Sequence, residues 1–322
     1  PWIIACLLVS AWSAHAQRFV RSIANIADMV ASNPTNVHTN ANVTGYYVSN
    51  DGGGGSFQWV VGDTTLTNRG TILASINASA PVGRWKRQYS GPLDTRWFGG
   101  KSDGITDDTA SVQSAYDSLT ETGSSMYIPG KVRFNLVIKK DNITIIGDGA
   151  IKDYTFPNPT AYWTPAITND AVIRVGDDTR VVKGLHLRDF TMYAPSATIG
   201  LLFQGGAMEA SCRHFSIWNF LTCLKIRDGA NPVSLLTFDD FLIQSAPATA
   251  SRGIYALDGA GASYVTALHF LNGHINGNDV GTSYAIELDS TYDVQFAHTY
   301  VDAIAEHCVL LNDTGGSLPI ID

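Results

Sequence analysis

The sequence predicts an all-β protein built as a parallel β-helix, a solenoid in which each coil adds one strand to each sheet. Charged residues make up only 16% of the 322 residues and hydrophobic residues 45%, which is usual for a protein rich in strands. The 30 glycines fit a chain with many turns. Two sets of short apolar triplets recur along the second half of the chain, and such repetition is typical of a solenoid.

Each repeated triplet has an apolar, a variable and an apolar residue in that order. Because side chains alternate between the two faces of a strand, the outer members should point inward and the middle member outward. One coil cannot bury its apolar face alone, so the stack of coils is the folding unit. The first set of triplets begins at Phe190, Phe215, Phe241, Gly273 and Thr299, and the second set begins at Leu201, Leu224, Ile254, Ile286 and Val309.

The pattern of the chain divides it into three regions. Residues 1–16 form an apolar run that ends in Ala-His-Ala, which favours a cleaved signal peptide over a buried N-terminal strand. Residues 19–95 form a small leader module of mixed α/β structure. Residues 96–322 form the β-helix, which we expect to be incomplete at its C-terminal end, because no capping segment follows the last triplet.

A glycine-rich turn lies at the centre of the leader module. The stretch TGYYVSNDGGGGSFQWVV predicts two strands joined by the glycines, and a short helix is predicted over Ile23 to Val30. The glycines do not form a phosphate-binding loop, because no Lys-Ser or Lys-Thr follows them. A further strand pair is predicted at Arg69–Ile72 and Gly83–Arg87.

The β-helix region begins with the stretch RWFGGKSDGITDDTASVQSAYDSL. We expect a short strand at Trp97 and Phe98, an aspartate-rich loop and then an amphipathic helix. Asp108 or Thr109 suits the N-cap, where a side-chain oxygen accepts a hydrogen bond from an unpaired amide. The carboxylates of the loop suggest calcium as an alternative, but the EF-hand spacing and its closing glutamate are absent. A turn followed by a capped helix is therefore the preferred interpretation.

This stretch resembles the leading motif of the pectate-lyase-like superfamily, the single-stranded right-handed β-helix proteins that include rhamnogalacturonase- and epimerase-like members. That motif is a strand ending in Phe-Gly-Ala, then Asp-Gly, then Asp-Asp-Thr and a helix, and here Gly100 takes the place of the alanine. The resemblance implies a right-handed β-helix whose open N-terminal end is covered by the helix. The residues to which it gives this structural capping role are Asp103, Gly104, Asp107, Asp108 and Thr109.

The leader resembles a module that precedes the β-helix in phage tailspike proteins and in related secreted bacterial proteins. The resemblance is carried by the Gly-Tyr pair, the Asp-Gly-Gly-Gly-Gly turn, and Gly-Arg-Trp-Lys-Arg ahead of Trp-Phe-Gly. Together with the leading motif it covers about residues 22–150. Because tailspike relatives are trimers, it implies a homotrimer.

Stacking of the triplets places polar side chains in rows on the outer surface. A long sugar chain can lie across such rows, although polar residues at a bend equally serve to bind turn amides. At the bend before the first set of triplets the row is Asp189, His214, Asp240, Asn272 and His298, and in the middle of the second set it is Leu202, Lys225, Tyr255, Glu287 and Leu310.

The rows offer candidates for catalysis and for substrate binding. Glycoside hydrolysis uses two carboxyl groups, roughly 5–5.5 Å apart for retention and 6.5–9.5 Å apart for inversion. The catalytic candidates are Asp240 on one coil and Glu287 with Asp289 on another. Elimination at a uronate also needs a cation that neutralises the substrate carboxylate. The candidates for substrate binding are Lys225, Arg227, Tyr255 and His274.

The sequence therefore favours a secreted carbohydrate-active protein that cleaves an acidic polysaccharide, either pectin-like or an exopolysaccharide, by lyase or hydrolase chemistry. It would be secreted, periplasmic or on the cell surface. The alternative is a non-catalytic glycan-binding or tailspike-like adhesion protein, on a virion if phage-derived. A net charge of −8 argues against a general nucleic-acid binder, and no membrane association is expected after signal cleavage. No metal or other cofactor is predicted, with Ca²⁺ as the open alternative.

Overall fold

The computed structural model describes residues 20–34, 39–151, 160–194, 197–227, 229, 231–257, 264–277, 283–289, 291–302 and 307–312. The predicted signal peptide, residues 1–16, lies outside the described residues and stays a prediction. Strands dominate the described part of the chain, which confirms the all-β fold class. Within these ranges no helix has the length and apolar character needed to cross a membrane.

The leader module is a sheet with one short helix. Its described elements are β1 (Val20–Ile23), α1 (Ile26–Ala31), β2 (Asn40–Val43), β3 (Gly55–Val61), β4 (Ile72–Leu73) and β5 (Gly83–Gln88). The strand order is β1-β2-β3-β5-β4, with β1 and β2 parallel and the other pairs antiparallel. Phe57, Trp59 and Trp85 are buried in a core separate from that of the β-helix, because alternate residues of β3 and β5 face the same side.

Two boundaries in the leader differ from the sequence prediction. β2 ends at Val43, and the stretch from Thr44 to Asn50, predicted as the first strand, belongs with the glycine-rich turn to one loop over residues 44–54. The loop is held in turns because the Asp51 carboxylate accepts hydrogen bonds from four of its amides at 2.7–3.1 Å. Ile23 ends β1 instead of starting the helix, since Asn25 caps α1 by accepting an amide of its first turn at 2.8 Å.

A buried arginine connects the leader to the β-helix. The Arg87 guanidinium lies 4.5 Å from the ring centre of Phe57 in the leader and 4.8 Å from that of Trp97, which packs against the β-helix core. Arg87 is 5% exposed, and burial lowers its pKa to about 10, so it remains charged at neutral pH. It donates hydrogen bonds to the carbonyl oxygens of Gly53, Gly54 and Gly70.

The segment that joins the two parts contains β6 (Leu93–Asp94), a 3₁₀-helix (Thr95–Phe98), β7 (Asp103–Asp107) and α2 (Thr109–Asp117). The predicted strand at Trp97 and Phe98 is wrong, because these residues belong to the 3₁₀-helix. Asp94 favours the tight turn: its carboxylate accepts the Arg96 amide at 2.9 Å and pairs with the Arg96 side chain at 2.6 Å.

The aspartate-rich stretch is a strand, not the loop that the sequence predicted. β7 pairs in parallel with the first coil, where Asp103 is opposite Lys131. Within β7 the Asp103 carboxylate accepts hydrogen bonds from the amides of Ile105 and Thr106 at 2.7–2.8 Å. Gly104, between Asp103 and Ile105, adopts a left-handed φ of 77°. The helix α2 then buries Val112 and Tyr116 in the β-helix core.

Asp108 holds the N-cap position of α2 but does not cap it in the expected way. Its carboxylate makes no hydrogen bond to the first helical turn and instead accepts the amides of Lys101 and Ser102, both at 2.9 Å. Burial raises the pKa of Asp108 above its ordinary value, and the two amides oppose that shift. The Asp107 carboxylate instead accepts a hydrogen bond at the start of α2, from the amide of Thr109 at 3.0 Å.

Replacing Asp108 with alanine should lower the free energy of unfolding by about 2 kcal/mol, because two part-buried amides lose their charged acceptor. Asp117→Ala is the matched control: this exposed carboxylate accepts only the Gln113 side chain, and its loss should cost about 0.5 kcal/mol or less. Chemical denaturation of the two variants measures both values. Equal losses would contradict an anchoring role for Asp108.

The coils of the β-helix supply the remaining described strands. The early ones are β8 (Ser125–Tyr127), β9 (Lys131–Arg133), β10 (Leu136–Ile138), β11 (Thr144–Ile146), β12 (Tyr162–Thr164), β13 (Ile173–Val175) and β14 (Val182–Lys183). The later ones are β15 (His186–Tyr193), β16 (Ile199–Gln204), β17 (Ala207–Phe220), β18 (Thr222–Arg227), β19 (Val233–Ser245), β20 (Arg252–Leu257), β21 (Val265–Asn276), β22 (Tyr284–Asp289), β23 (Tyr292–Ala297), β24 (Tyr300–Asp302) and β25 (His307–Asn312).

These strands form two parallel sheets, as the sequence predicted. The small sheet has seven strands in the order β10-β13-β16-β18-β20-β22-β25, and the large sheet has thirteen, with β23-β21-β19-β17-β15-β11-β8-β6 as its main path. The predicted register is confirmed in both: Phe190 pairs with Phe215 in the large sheet, and Leu201 pairs with Leu224 in the small sheet. The parallel β-helix is therefore established down to the residue pairs.

Aromatic rings stack through the core along the axis of the β-helix. The rings of Phe190, Phe215 and Phe241 follow one another with centres 5.2 and 5.5 Å apart. A second stack is formed by Phe270 with its neighbours on both sides, at 4.9 Å each. Each phenylalanine thus packs against the coils before and after it, which couples the coils into one folding unit.

The middle residues of the triplets were predicted to point outward. Lys225, Tyr255 and His274 are partly exposed, but several others are buried. Thr191 and Ser216 are covered because their hydroxyl groups bond to each other at 2.9 Å and Thr191 also accepts the Ile151 amide at 3.0 Å. Leu242 is 1% exposed. Glu287 is 6% exposed because it lies in an ion pair within the small sheet.

Candidate functional site

The five predicted bend residues form a continuous row along the large sheet, which we call the bend row. All five have a left-handed φ between 50° and 58°. Asp, Asn and His adopt this region more readily than most residues, which explains why these types occupy the bend. The row is in register because the triplets that follow it are paired across the coils. Its members are Asp189, His214, Asp240, Asn272 and His298.

The bend row opens into two neighbouring depressions, which together we call the bend groove. The first has a volume of about 230 Å³ and the second about 350 Å³. They are joined by Asn272, whose side chain donates a hydrogen bond to Asp239 at 2.9 Å. The first is lined by Arg188, Asp189, Arg213, His214, Asp239 and Asp240, and the second by Phe241, Leu242, Asn272, Gly273, His274, His298 and Tyr300.

Carboxylates and cations alternate in the first depression. Arg188 lies 2.7 Å from one oxygen of Asp189, and Nδ1 of His214 lies 2.9 Å from the other. Arg213 contacts Asp239 at 3.0 Å. These side chains are partly open to solvent, so the depression offers both hydrogen-bond donors and acceptors to a polar ligand.

Two carboxylates of this depression lie on alternate coils. Asp189 and Asp240 occupy equivalent bend positions, with His214 on the strand between them. Two strand spacings separate their backbones by about 9.6 Å. Inverting glycoside hydrolases hold their two carboxyl groups roughly 6.5–9.5 Å apart, so the two side chains would lean toward each other to act as such a pair.

The second depression combines an apolar floor with an exposed aromatic ring. Tyr300 is 73% exposed, and its ring centre lies 6.4 Å from that of His274. Nε2 of His274 lies 2.7 Å from an oxygen of Asp302. Gly273 is required in the floor, since a Cβ atom there would lie 2.1 Å from the Phe241 ring. An aromatic face beside polar groups is a suitable surface for a sugar ring.

The structure does not bring the three predicted catalytic residues together. Asp240 lies in β19 of the large sheet, whereas Glu287 and Asp289 lie in β22 of the small sheet. Glu287 is moreover mostly buried against Arg252, with which it forms an ion pair. Of the three, only Asp240 lines the bend groove.

The predicted substrate-binding residues are divided in the same way. His274 lines the bend groove, whereas Lys225, Arg227 and Tyr255 lie together in β18 and β20 of the small sheet. Lys225 pairs in register with Tyr255, as the sequence alignment of the coils predicted.

Sequence reasoning missed several residues of these surfaces. Arg188 and Arg213 each stand immediately before a bend residue, and this shared position was a usable signal for a cation beside the bend. Tyr300 was recognised as outward-facing but was not proposed as a ligand contact. Arg252 gave no signal, because its pairing with Glu287 depends on how two strands align in space.

No group of three or more His, Cys, Asp or Glu side chains within the described ranges is arranged to hold a metal ion. The capping candidates Asp103, Gly104, Asp107, Asp108 and Thr109 lie in β7 and at the start of α2, and none of them lines the bend groove. The absence of a cofactor therefore stays a prediction.

Comparison with known proteins gives one family match and several structural matches. Residues 22–90 match the phage tail protein small four-stranded β-sheet domain. No curated protein matches the chain. Structures similar to the chain include the gp42 tailspike of Acinetobacter phage vb_AbaP_AS12, with a TM-score of 0.61 and 15% identity over 88% of this chain and 50% of that one.

Two further similar structures come from other phages. The gp49 tailspike of Acinetobacter baumannii bacteriophage Fri1, a capsular polysaccharide depolymerase, has a TM-score of 0.57 and 16% identity over 87% of this chain and 54% of that one. ORF18 of Geobacillus virus E2 has a TM-score of 0.56 and 17% identity over 88% of this chain and 55% of that one. The chain thus spans about half the length of these structures.

At these identities the structural matches establish the fold and not the activity. The three matches each cover most of this chain, which consists of the leader sheet and the stack of coils that follows it. Residues 22–90 therefore resemble a phage tail β-sheet domain, and the parallel β-helix that follows them has a fold similar to that of two phage tailspikes.

Proposed function

We propose that the protein binds a polysaccharide along the bend groove and hydrolyses it there. The observation that carries the proposal is the placement of Asp189, His214 and Asp240 on three successive coils around one depression. The similar tailspike that is a capsular polysaccharide depolymerase supports the same substrate class.

The length of the groove suits a chain of sugars better than a single one. The bend row crosses five strands, which corresponds to about 19 Å along the axis. Tyr300 and His274 would contact the flat faces of sugar rings at one end. Arg188 and Arg213 would bind hydroxyl or carboxylate groups at the other end.

In the proposed reaction, one of the two carboxyl groups protonates the glycosidic oxygen and the other activates a water molecule on the opposite face of the sugar. We assign these roles to Asp189 and Asp240 as a pair. Arg188 and His214 contact Asp189 and hold its side chain in the groove, and we assign it the role of base. Asp240 would then be the acid, and the product would have the inverted configuration.

The family match of the leader supports a location on a phage tail. In that setting the protein would form a homotrimer, as the resemblance to tailspikes implies. Secretion through the predicted signal peptide is the alternative location. A mass measurement of the purified protein tests the trimer, and sequencing the N-terminus of exported protein tests the cleavage.

A panel of purified capsular polysaccharides, exopolysaccharides and pectins tests the proposed activity. Hydrolysis should release reducing ends without ultraviolet-absorbing unsaturated ends from at least one polysaccharide. The release of unsaturated ends would show that the protein cleaves the polysaccharide by elimination and not by hydrolysis. The release of no ends from any polysaccharide that the protein binds would overturn the proposal of an enzyme.

A second candidate function is glycan binding without cleavage. The ion pairs in the groove favour it: Asp189 and Asp239 each pair with an arginine, and carboxylates paired in this way can serve to hold neighbouring coils together instead of taking part in catalysis. In this case a glycan array should show binding while the glycan keeps its length, and the protein would serve as an adhesin.

A further inference from the structure

A second polar cluster lies on the outer face of the small sheet, away from the bend groove. Lys225, Tyr255 and Glu287 are neighbours in register on β18, β20 and β22. Lys225 Nζ lies 5.3 Å from the centre of the Tyr255 ring, and the Arg252 guanidinium lies 4.8 Å from the same centre. Arg227 stands two residues after Lys225 on the same strand and thus on the same face.

The charge of Lys225 is not neutralised by any residue that the structure describes. Arg252 is paired with Glu287. The Lys225 ammonium has no hydrogen bond or ion pair with any residue that the structure describes, although Lys225 is partly buried. Burial, Arg227 and Arg252, in this order, lower the pKa of Lys225. Each of these contributions disfavours the charged lysine.

We propose that Lys225 and Arg227, with Arg252 and Tyr255 beside them, bind a compact anionic group, either the carboxylate of an acidic sugar or a phosphate. Such a group would supply an anionic partner for Lys225, which has none among the described residues. Arg227 adds planar donors suited to bidentate recognition of a carboxylate or phosphate, and Tyr255 offers an aromatic edge to the sugar or substituent that carries the anion. Because the cluster lies on the other sheet, the proposal does not depend on the bend groove.

The purely structural alternative is a lysine that only covers the Tyr255 ring with its aliphatic stem. In that case Lys225→Met would keep the packing, and no ligand would bind at this place. The two interpretations differ in whether an added anion protects the Lys225 amine, which makes the site testable without an activity assay.

Amine labelling followed by mass spectrometry provides this test on the full chain. A lysine with a lowered pKa reacts readily with an amine reagent at neutral pH, so Lys225 should be labelled faster than the exposed Lys183. Oligogalacturonate, inorganic phosphate and a neutral oligosaccharide are added in separate arms. We expect oligogalacturonate or phosphate to slow the labelling of Lys225 at least about fivefold and to leave Lys183 unchanged, which corresponds to an occupancy of about 80%.

Direct binding by calorimetry completes the experiment. Lys225→Met should weaken binding of the protecting anion at least about tenfold, equivalent to about 1.4 kcal/mol, whereas Lys183→Met should leave it unchanged. Protection by oligogalacturonate alone identifies an acidic sugar as the ligand, and protection by phosphate identifies the phosphate group. Equal protection by the neutral oligosaccharide, or no protection in any arm, would overturn the proposal. Thermal melting of both variants confirms that they are folded.

Discussion

Replacing Asp240 with asparagine is expected to reduce the rate of polysaccharide cleavage between about a hundredfold and ten-thousandfold, the range that positioned acid–base catalysis contributes. Asparagine preserves the shape of the side chain and its tolerance of the left-handed bend, so the coil should remain intact. Binding of the uncleaved polysaccharide should change little. The rate of release of reducing ends measures the effect.

Asp293→Asn is the matched control for this variant. Asp293 lies in β23 of the same sheet and also has a left-handed φ, of 51°, but it does not line the bend groove. Its replacement should leave the cleavage rate within about twofold, as is usual for a surface substitution. Asp189→Asn should resemble Asp240→Asn, and the double variant should be little worse than either, because groups that act as a unit are not additive. Full activity in Asp240→Asn would exclude Asp240 as the acid.

Replacing Arg87 with methionine is expected to lower the free energy of unfolding of the leader by about 3 kcal/mol. Three carbonyl oxygens lose their donor, two of them in buried hydrogen bonds and one in a part-buried bond, and each such loss costs about 1 kcal/mol. The contacts of the guanidinium with Phe57 and Trp97 are lost as well. Denaturation followed by tryptophan fluorescence reports this change, since Trp59 and Trp85 lie in the leader core.

Arg84→Met is the control, because Arg84 lies on the same strand but its side chain bonds at the surface to the carbonyl oxygen of Thr65 at 2.7 Å. Its loss should cost about 1 kcal/mol or less. If both arginine variants unfold at the same denaturant concentration, Arg87 does not connect the leader to the β-helix in the way described.

The coil register was predictable from sequence because it depends on a repeated local pattern. A triplet such as Phe215–Ile217 buries its outer residues, and a shift by one residue would place them in water, so the pairing has one favourable alignment. The bend row was predictable for the same reason. Its residue types also matched the backbone requirement, since His214 and Asn272 tolerate a left-handed φ.

The failures concern contacts that depend on how separate strands meet in space. Asp108 was expected to cap its own helix, but it binds amides of the preceding loop, which sequence spacing does not reveal. Asp240 and Glu287 were considered as partners because both are polar and outward-facing. They lie on different sheets of the β-helix, which keeps their side chains apart.

Hydroxyl-radical footprinting of the protein with the polysaccharide that it binds tests the central claim most directly. If the sugar chain lies in the bend groove, oxidation of His214, His274 and Tyr300 should fall severalfold, while Tyr89 in the leader, which is 49% exposed, should keep its rate. Unchanged oxidation of all three groove residues at a saturating concentration of polysaccharide would contradict the account.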